Sequence, residues 1–177
     1  MVLSCMTSTL FVACMLFAQS DSEIAPGTAH NQVRLSMTRS SRRPDVLSIS
    51  LRNESDREMR FIPAYVMNGR ARWNISVMIT SRDGRNVEAI QLPAVVITTG
   101  KVSPLIISVA GKSEYRKEFA LREFAIFGAG GQTSLSTLAG SGAKLFISLH
   151  CGSYLSDSIR MTSDLWQGDL DSGTLQL

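Results

Sequence analysis

The sequence is poor in the residues that most catalytic and metal sites use. Its 177 residues include two histidines and three cysteines, and neither type is spaced like the ligands of a metal ion. The acidic residues form no calcium-binding loop. The glycine-rich segment Gly128–Gly131 lacks the Gly-Lys-Ser/Thr ending of a phosphate-binding loop. We therefore expect no catalytic residue, no cofactor site and no metal site.

The histidines and the cysteine beyond the N-terminal region do not suggest a nucleophilic enzyme. His30 precedes the first predicted strand, whereas His150 and Cys151 are adjacent. Neighbours on an extended strand point to opposite faces, so these two side chains cannot form a thiolate–imidazole pair. Cys151 alone cannot form an internal disulfide. It is either a buried small hydrophobe, the commoner state, or a free reactive thiol.

Basic residues are concentrated in the first half of the chain. Eleven arginines and five acidic residues lie between Arg34 and Arg85, whereas the whole chain has a net charge of +3. A basic surface attracts nucleic acid, but interleaved acidic residues are typical of a solvated face, so we expect no nucleic acid partner. Near the C-terminus, Asp169 and Asp171 would share one strand face. Together with Asp164 they are too loosely arranged to indicate calcium.

The N-terminal region resembles an export leader. Residues 10–18 form an uncharged apolar run that is too short to cross a bilayer but suits the core of a signal peptide. Cleavage after Ser20 would leave residues 21–31 as a linker and residues 32–177 as the domain, in an extracytoplasmic protein that is secreted or periplasmic. Lipid attachment at Cys14 and a retained N-terminal segment are the alternatives. We expect no membrane span in the mature chain.

The rest of the chain is typical of short strands separated by turns. Apolar and polar residues alternate over the four clearest segments, which are Val33–Thr38, Leu47–Leu51, Trp73–Ile79 and Leu145–Leu149. Turn sequences follow three of the predicted strands, namely Asn53–Asp56, Asn68–Gly69 and Asp83–Gly84. Gly168–Leu177 is predicted as the last strand.

The region between residues 114 and 142 is the least regular. Glu114–Phe127 fits either a further strand or a helix. Gly128–Gly142 contains five glycines and is predicted as a long flexible loop, which Leu135 and Leu138 would pin to the core.

These features together predict an all-β protein, an antiparallel sandwich of about seven to nine strands. Leu47–Asn53 and Trp73–Ile79 resemble the B-like and C-like strands of bacterial immunoglobulin-like sandwich domains, and Leu165–Leu177 resembles their final strand. Proteins similar to the bacterial intracellular proteinase inhibitor have this layout. The resemblance covers about residues 32–177 and implies an immunoglobulin-like fold.

A leader, a series of strands and the shortage of catalytic groups favour an exported, non-enzymatic binding or accessory module. We expect its partner to be a protein that binds a sheet edge or the segment 128–142. A proteinase inhibitor of the same shape is one alternative. A carbohydrate-binding module is another, and it requires exposed aromatic residues. The candidates are Tyr65, Trp73, Tyr154 and Trp166, of which Trp73 should be buried in the predicted strand.

Overall fold

The computed structural model describes residues 22–92, 102–128, 131–152 and 165–177, which form an all-β protein. In chain order its strands are β1 (Ser22–Pro26), β2 (Val33–Ser40), β3 (Arg43–Asn53), β4 (Met59–Met67), β5 (Arg70–Trp73), β6 (Ile75–Thr80), β7 (Asn86–Gln91), β8 (Val102–Val109), β9 (Glu114–Ala120), β10 (Phe124–Gly128), β11 (Gly131–Ser134), β12 (Lys144–Cys151), β13 (Gly168–Asp171) and β14 (Leu175–Gln176). The helices are two short 3-10 turns, Leu121–Glu123 and Leu135–Leu138. The predicted all-β antiparallel class is confirmed.

The described strands form three antiparallel sheets. Sheet 1 has the order β1-β2-β3-β9, and sheet 3 has the order β5-β4-β8. Sheet 2 has the order β11-β10-β7-β6-β12-β13, and β14 also pairs with β12. All three sheets direct apolar side chains into one hydrophobic core, so the fold is a β-sandwich. The fourteen strands of the described residues exceed the predicted seven to nine because several are short pieces of two to five residues.

Alternating side chains decide which face of each strand enters the core. In β2 the core residues are Val33, Leu35 and Met37, and the residues between them point outward. Leu35 lies opposite Leu51 of β3, so the apolar residues of neighbouring strands line up on the inner face. A shift of one residue in this register would expose the whole apolar set, which is why the register is strongly specified.

Aromatic rings fill the centre of the core. The Phe119 ring centroid lies 5.7 Å from that of Trp73 and 5.6 Å from that of Phe124, both in edge-to-face geometry. Tyr115 stacks on Trp73 at 6.1 Å. Trp73 is 5% exposed, so its predicted burial is confirmed. These contacts join sheets 1, 2 and 3, because the four rings come from β5, β9 and β10.

Three of the predicted turns are present where the sequence placed them. Asn68 and Gly69 both have positive φ angles, of 51° and 74°, and connect the antiparallel strands β4 and β5. Gly84, with a φ of 82°, connects β6 to β7. At the third turn, the Asn53 side chain accepts a hydrogen bond from the Ser55 amide at 3.0 Å, as expected of a residue that bonds its own backbone.

The segment predicted as a linker, residues 21–31, contains a strand instead. Ser22–Pro26 pairs with β2 along its whole length, from Ser22 opposite Ser40 to Pro26 opposite Ser36. Its Ala25 is buried against the core, whereas Ile24 is 62% exposed. A strand of this length with one buried residue has too weak a pattern to be recognised in the sequence, and its pairing with β2 decides its structure.

The segment Trp73–Ile79, predicted as one strand, belongs to two sheets. Trp73 ends β5 in sheet 3, and Ile75 begins β6 in sheet 2. Asn74 joins them: its amide donates to the Pro63 carbonyl at 2.9 Å, and its carbonyl accepts from the His150 amide at 2.8 Å. Alternation continues through this joint because both strands bury residues of the same parity, so the pattern alone gives no sign of the change of sheet.

The predicted flexible loop over residues 128–142 is ordered in its described part. Gly131–Ser134 pairs with β10 as β11, and a 3-10 turn follows over Leu135–Leu138. Leu135 is fully buried and Leu138 packs against the core, which confirms that these two leucines fix the segment. Residues 129 and 130 lie outside the described residues.

The helical alternative for Glu114–Phe127 is wrong. The segment forms β9, one short 3-10 turn and then β10. Buried residues at Phe119, Leu121 and Phe124 do not follow a helical spacing along one face. The break after Ala120 lets the chain leave sheet 1 and enter sheet 2, and the Glu123 carboxylate accepts from the Ala120 amide at 3.0 Å across this turn.

Candidate functional site

The outer side of sheet 1 carries a concave, strongly charged surface. We call it the arginine face: the outward side chains of β2, β3 and β9, together with Glu54 and Lys112. The concavity has a volume of about 650 Å³, and Ile24 and Pro26 of β1 form one wall of it. The inward side chains of the same strands pack in the core, whereas the outward side chains of this surface are accessible to a ligand.

The strand register arranges the arginine face in rows. In the first row Arg34 lies directly opposite Arg52, which lies opposite Glu114. The rows beside it consist of Ser36, Ser50 and Arg116, and of Thr38, Ser48 and Glu118. Short hydroxyl side chains therefore form the floor, and long charged side chains stand at its ends.

Ion pairs hold most of these charged groups. The Arg34 Nε donates to a Glu54 carboxylate oxygen at 2.7 Å, and the Arg116 Nε donates to Glu114 at the same distance. The Ser50 hydroxyl also donates to Glu114, at 2.8 Å. Both carboxylates thereby become fixed acceptors on the surface.

The electrostatics of the face follow from these contacts. The hydrogen bond from Arg34 lowers the pKa of Glu54 below its ordinary value of 4.5. For Glu114 the hydrogen bond from the Ser50 hydroxyl is the main cause of a lowered pKa, and Arg116 adds to it. Arg52 contributes to both shifts through its charge. The two carboxylates are therefore ionised throughout the neutral range.

Arg52 differs from the other arginines of the face. It is exposed, and within the described residues it makes no hydrogen bond or ion pair of its own. It interacts with Glu54 and Glu114 only over a longer distance, through its charge. Its guanidinium therefore presents its donors to the solvent within the concavity.

A second polar group lies on the outer side of sheet 2. The His150 Nδ1 is 2.8 Å from an Asp169 carboxylate oxygen, and its Nε2 is 3.4 Å from the Ser76 hydroxyl. His150 comes from β12, Asp169 from β13 and Ser76 from β6. This is the order of groups in a serine hydrolase, and neither Ser76 nor its contact with His150 was identified from the sequence.

Within the described part of the chain, Ser76, His150 and Asp169 are not accompanied by donors that would stabilise an oxyanion. They lie on the open surface of adjacent strands, where backbone N–H groups point within the sheet plane toward neighbouring strands. No strand amide is therefore aimed at the place that the oxygen of an acyl group above Ser76 would occupy. The contacts among Ser76, His150 and Asp169 are those of a row of polar pairs between neighbouring strands. Ser148 and Asp171 form a further pair of this kind, in which the Ser148 hydroxyl donates to the Asp171 carboxylate at 2.5 Å.

Cys151 points to the other side of β12 from His150, as the strand pattern predicts. The cysteine is buried in the core, and burial, with a contribution from the charge of Asp169, raises the pKa of its thiol to about 12. It is therefore a small core residue and not a nucleophile. His30 lies near the start of β13, 3.4 Å from the Asp169 carbonyl oxygen, and is not brought to Cys151.

The acidic and aromatic candidates are accounted for as follows. Asp169 and Asp171 share the outer face of β13, as predicted, and Asp164 lies outside the described residues. In the described parts of the chain no three His, Cys, Asp or Glu residues are grouped as metal ligands.

Of the four aromatic candidates for carbohydrate binding, Trp73 is buried, Tyr65 and Trp166 are half-buried, and Tyr154 is not described. The three described residues therefore do not form an exposed aromatic surface on which a sugar ring could stack.

The β10–β11 pair is where the sequence predicted a partner to bind. β11 is the last strand of sheet 2 among the described strands, and Phe127 beside it is 49% exposed. Ile90 on β7 is also exposed, and it lies opposite Ala125 on the same outer face. This end of sheet 2 thus combines a sheet edge with exposed apolar side chains.

Over the residues described here, no helix has the length and apolar character to cross a membrane. No protein-family model matches the sequence, and no curated protein and no solved structure matches it either.

Proposed function

We propose that this chain is an exported, non-enzymatic binding or accessory module built on an immunoglobulin-like sandwich. The order of strands supports the immunoglobulin-like assignment. Sheet 2 contains the series β7-β6-β12-β13, which corresponds to strands C′, C, F and G, and sheet 1 contains β2-β3-β9, which corresponds to A, B and E. Sheet 3 is an addition to this arrangement.

One observation carries the binding function: among the described strands, sheet 2 ends in β11, beside the exposed ring of Phe127. An edge strand offers unpaired backbone groups to an extended segment of another protein, and exposed apolar side chains beside it add contact area. A protein partner at the β10–β11 pair uses both features. The buried thiol of Cys151, and the amides of the described strands around Ser76, which point along the sheet and not above it, support the non-enzymatic part of the proposal.

Site-specific photo-crosslinking tests the partner surface. A photoreactive phenylalanine analogue replaces Phe127 in the full chain, expressed in its own cells, and Arg85 serves as the control position. Arg85 is 83% exposed at its side chain and lies in the β6–β7 turn. We expect one protein to be crosslinked from position 127 and not from position 85. Crosslinking at neither position, or equally at both, contradicts the proposed surface.

Two further measurements test the remaining parts. An intact mass that begins at Asp21, found outside the cytoplasm, supports export, whereas a full-length mass in the cytosol contradicts it. Hydrolytic turnover of ester substrates that disappears in both Ser76→Ala and His150→Ala contradicts the non-enzymatic assignment. Absence of turnover, with no labelling of Ser76 by a fluorophosphonate, supports it.

A further inference from the structure

We propose that the arginine face binds an acidic saccharide, whose anionic group is held by Arg52, beside Arg34, and whose hydroxyls bond to Glu54, Glu114 and the floor of short hydroxyl side chains. This site lies on sheet 1, on a different sheet from the proposed protein-binding edge at β11. The inference goes beyond the proposed function and does not depend on it.

The placement of Arg34 and Arg52 is the first reason. Like charges directly opposite one another on neighbouring strands destabilise a sheet. Glu54 compensates Arg34 by an ion pair of 2.7 Å, but Arg52 has no such partner in the described chain. A local arrangement that opposes folding, without full compensation, is typical of a functional site.

The shape of the face is the second reason. Ser36 and Ser50 lie opposite one another, and Thr38 lies on the same face of β2 as Ser36, so three hydroxyls form a floor across β2 and β3. Because these side chains are short and the arginines around them are long, the face is hollow, with a volume of about 650 Å³. Small-molecule sites commonly have volumes of about 300–1,000 Å³.

The mixture of charges identifies the class of ligand. Glu54 and Glu114 are fixed, ionised acceptors within the same hollow as Arg52. A ligand that fits must offer hydroxyl donors to these carboxylates and an anion to the guanidinium. An acidic sugar offers both an anion and several hydroxyls, whereas an acidic peptide such as oligo-glutamate offers anions without hydroxyl donors for Glu54 and Glu114.

The lining residues also separate acidic from neutral sugars. None of the described residues that line the hollow is aromatic, and these residues therefore offer no surface for stacking a sugar ring. Recognition must then come from hydrogen bonds to charged groups, and a planar guanidinium binds a carboxylate or a sulfate through two parallel hydrogen bonds. Carboxylate and sulfate can both accept these two hydrogen bonds, so either anion fits the proposed contact with Arg52.

Calorimetric titration of the full chain tests the proposal with four probes. The probes are an oligogalacturonate, which carries carboxylates, a heparin-derived tetrasaccharide, which carries sulfates, neutral cellotetraose, and an oligo-glutamate peptide. We expect binding of at least one acidic saccharide, weaker binding at higher salt, and no binding of cellotetraose or the peptide. The saccharide that binds more tightly identifies the anion as carboxylate or sulfate.

Matched variants locate the site. Arg52→Gln is expected to weaken acidic-saccharide binding by about tenfold or more, as the loss of a charge-assisted hydrogen bond implies. Arg85→Gln removes an exposed arginine from the opposite sheet and should leave the affinity unchanged. Thermal unfolding checks that both variants fold. The proposal is wrong if the folded chain binds neither acidic saccharide, if both variants lose affinity equally, or if oligo-glutamate binds as tightly as the saccharide.

Discussion

The outer faces of sheets 1 and 2 rest on the same kind of apolar inner face, but they differ in what they expose. Sheet 1 presents arginines and carboxylates around a hollow floor of hydroxyls, whereas sheet 2 presents His150 and Asp169 at one end and apolar groups such as Phe127 at the other. Folding constrains the inward residues of both sheets in the same way. The outward residues are not held to that apolar pattern, so the two faces can differ in charge while the core beneath them is the same.

The adjacent residues His150 and Cys151 provide the strongest test of this inside–outside contrast. The His150 side chain is 36% exposed, and Cys151 is buried with a thiol pKa of about 12. We expect native Cys151 to react with iodoacetamide at least about a thousandfold more slowly than in the urea-unfolded chain, because reaction requires opening of a core strand. Peptide mass spectrometry measures modification at Cys151, and diethyl pyrocarbonate labelling of native His150 is the control. Fast native labelling of Cys151 would contradict its placement.

The next largest expected effect is on the free energy of unfolding, and it comes from the hydrophobic core that the sheets share. Phe119 is buried at the contact of the aromatic rings, so Phe119→Ala is expected to lower the free energy of unfolding by about 3–5 kcal/mol. Urea denaturation measures the change. Phe127→Ala is the matched control, because its ring is half exposed, and it should change stability by less than about 1 kcal/mol. Equal losses in the two variants would show that the core does not lie where the structure puts it.

Asn53 lies at the end of β3 in sheet 1, and its substitution is expected to cause a loss of stability of intermediate size. It is fully buried, and its amide nitrogen donates to the carbonyls of Arg57 at 2.7 Å, Val109 at 3.0 Å and Ala110 at 3.2 Å. Asn53→Ala leaves these acceptors without that donor, and each buried polar group left unsatisfied costs about 1–3 kcal/mol.

Thermal and urea unfolding of Asn53→Ala measure this loss, with Asn86→Ala as the control on the exposed side of sheet 2. If Asn86→Ala is as destabilising as Asn53→Ala, the buried hydrogen bonds of Asn53 are not what holds this end of sheet 1.

The smallest predicted effect concerns pH and the arginine face. Because the pKa of Glu114 is lowered in the folded protein, its contribution to stability is present above about pH 4.5 and is lost as the pH falls through the folded pKa. Ser50→Ala removes the hydroxyl that is the main cause and should raise the pKa of Glu114 toward 4.5. The variant should therefore be slightly less stable at neutral pH, and the difference should vanish in acid.

A carbon-detected NMR titration of the Glu114 carboxyl group measures the pKa, and Ser148→Ala on sheet 2 is the control that should leave it unchanged. An unaltered Glu114 pKa in Ser50→Ala would exclude the hydroxyl as the cause.

Local patterns in the sequence predicted much of the fold. The alternation of Leu47–Leu51 identified β3 and its inner face, and Asp83–Gly84 identified a hairpin, because period and turn chemistry are properties of a few neighbouring residues. Ser22–Pro26 was not recognised as a strand because its structure depends on pairing with β2. The change of sheet at Asn74 was missed because the alternation continues through it.

Little of the arginine face could be predicted, for a related reason. Alternation placed Arg34 and Arg52 on the solvent side of their strands. Their direct opposition depends on the register set by the turn between β2 and β3, and Glu114 reaches Arg52 only because β9 pairs with β3. The sequence therefore predicted charged residues on a solvated face, but not a hollow in which the Arg52 guanidinium has no ion-pair partner among the described residues.

The joint at Asn74 has a mechanical consequence. β5 in sheet 3 and β6 in sheet 2 are consecutive pieces of one extended chain, and the backbone of the joint is bonded to Pro63 on one side and to His150 on the other. A pulling force applied to sheet 3 is therefore transmitted to sheet 2 through covalent bonds, and not only through side-chain packing that can slide. The two sheets should resist shear as one unit, so a load on one of them would reach β12 before the sandwich separates.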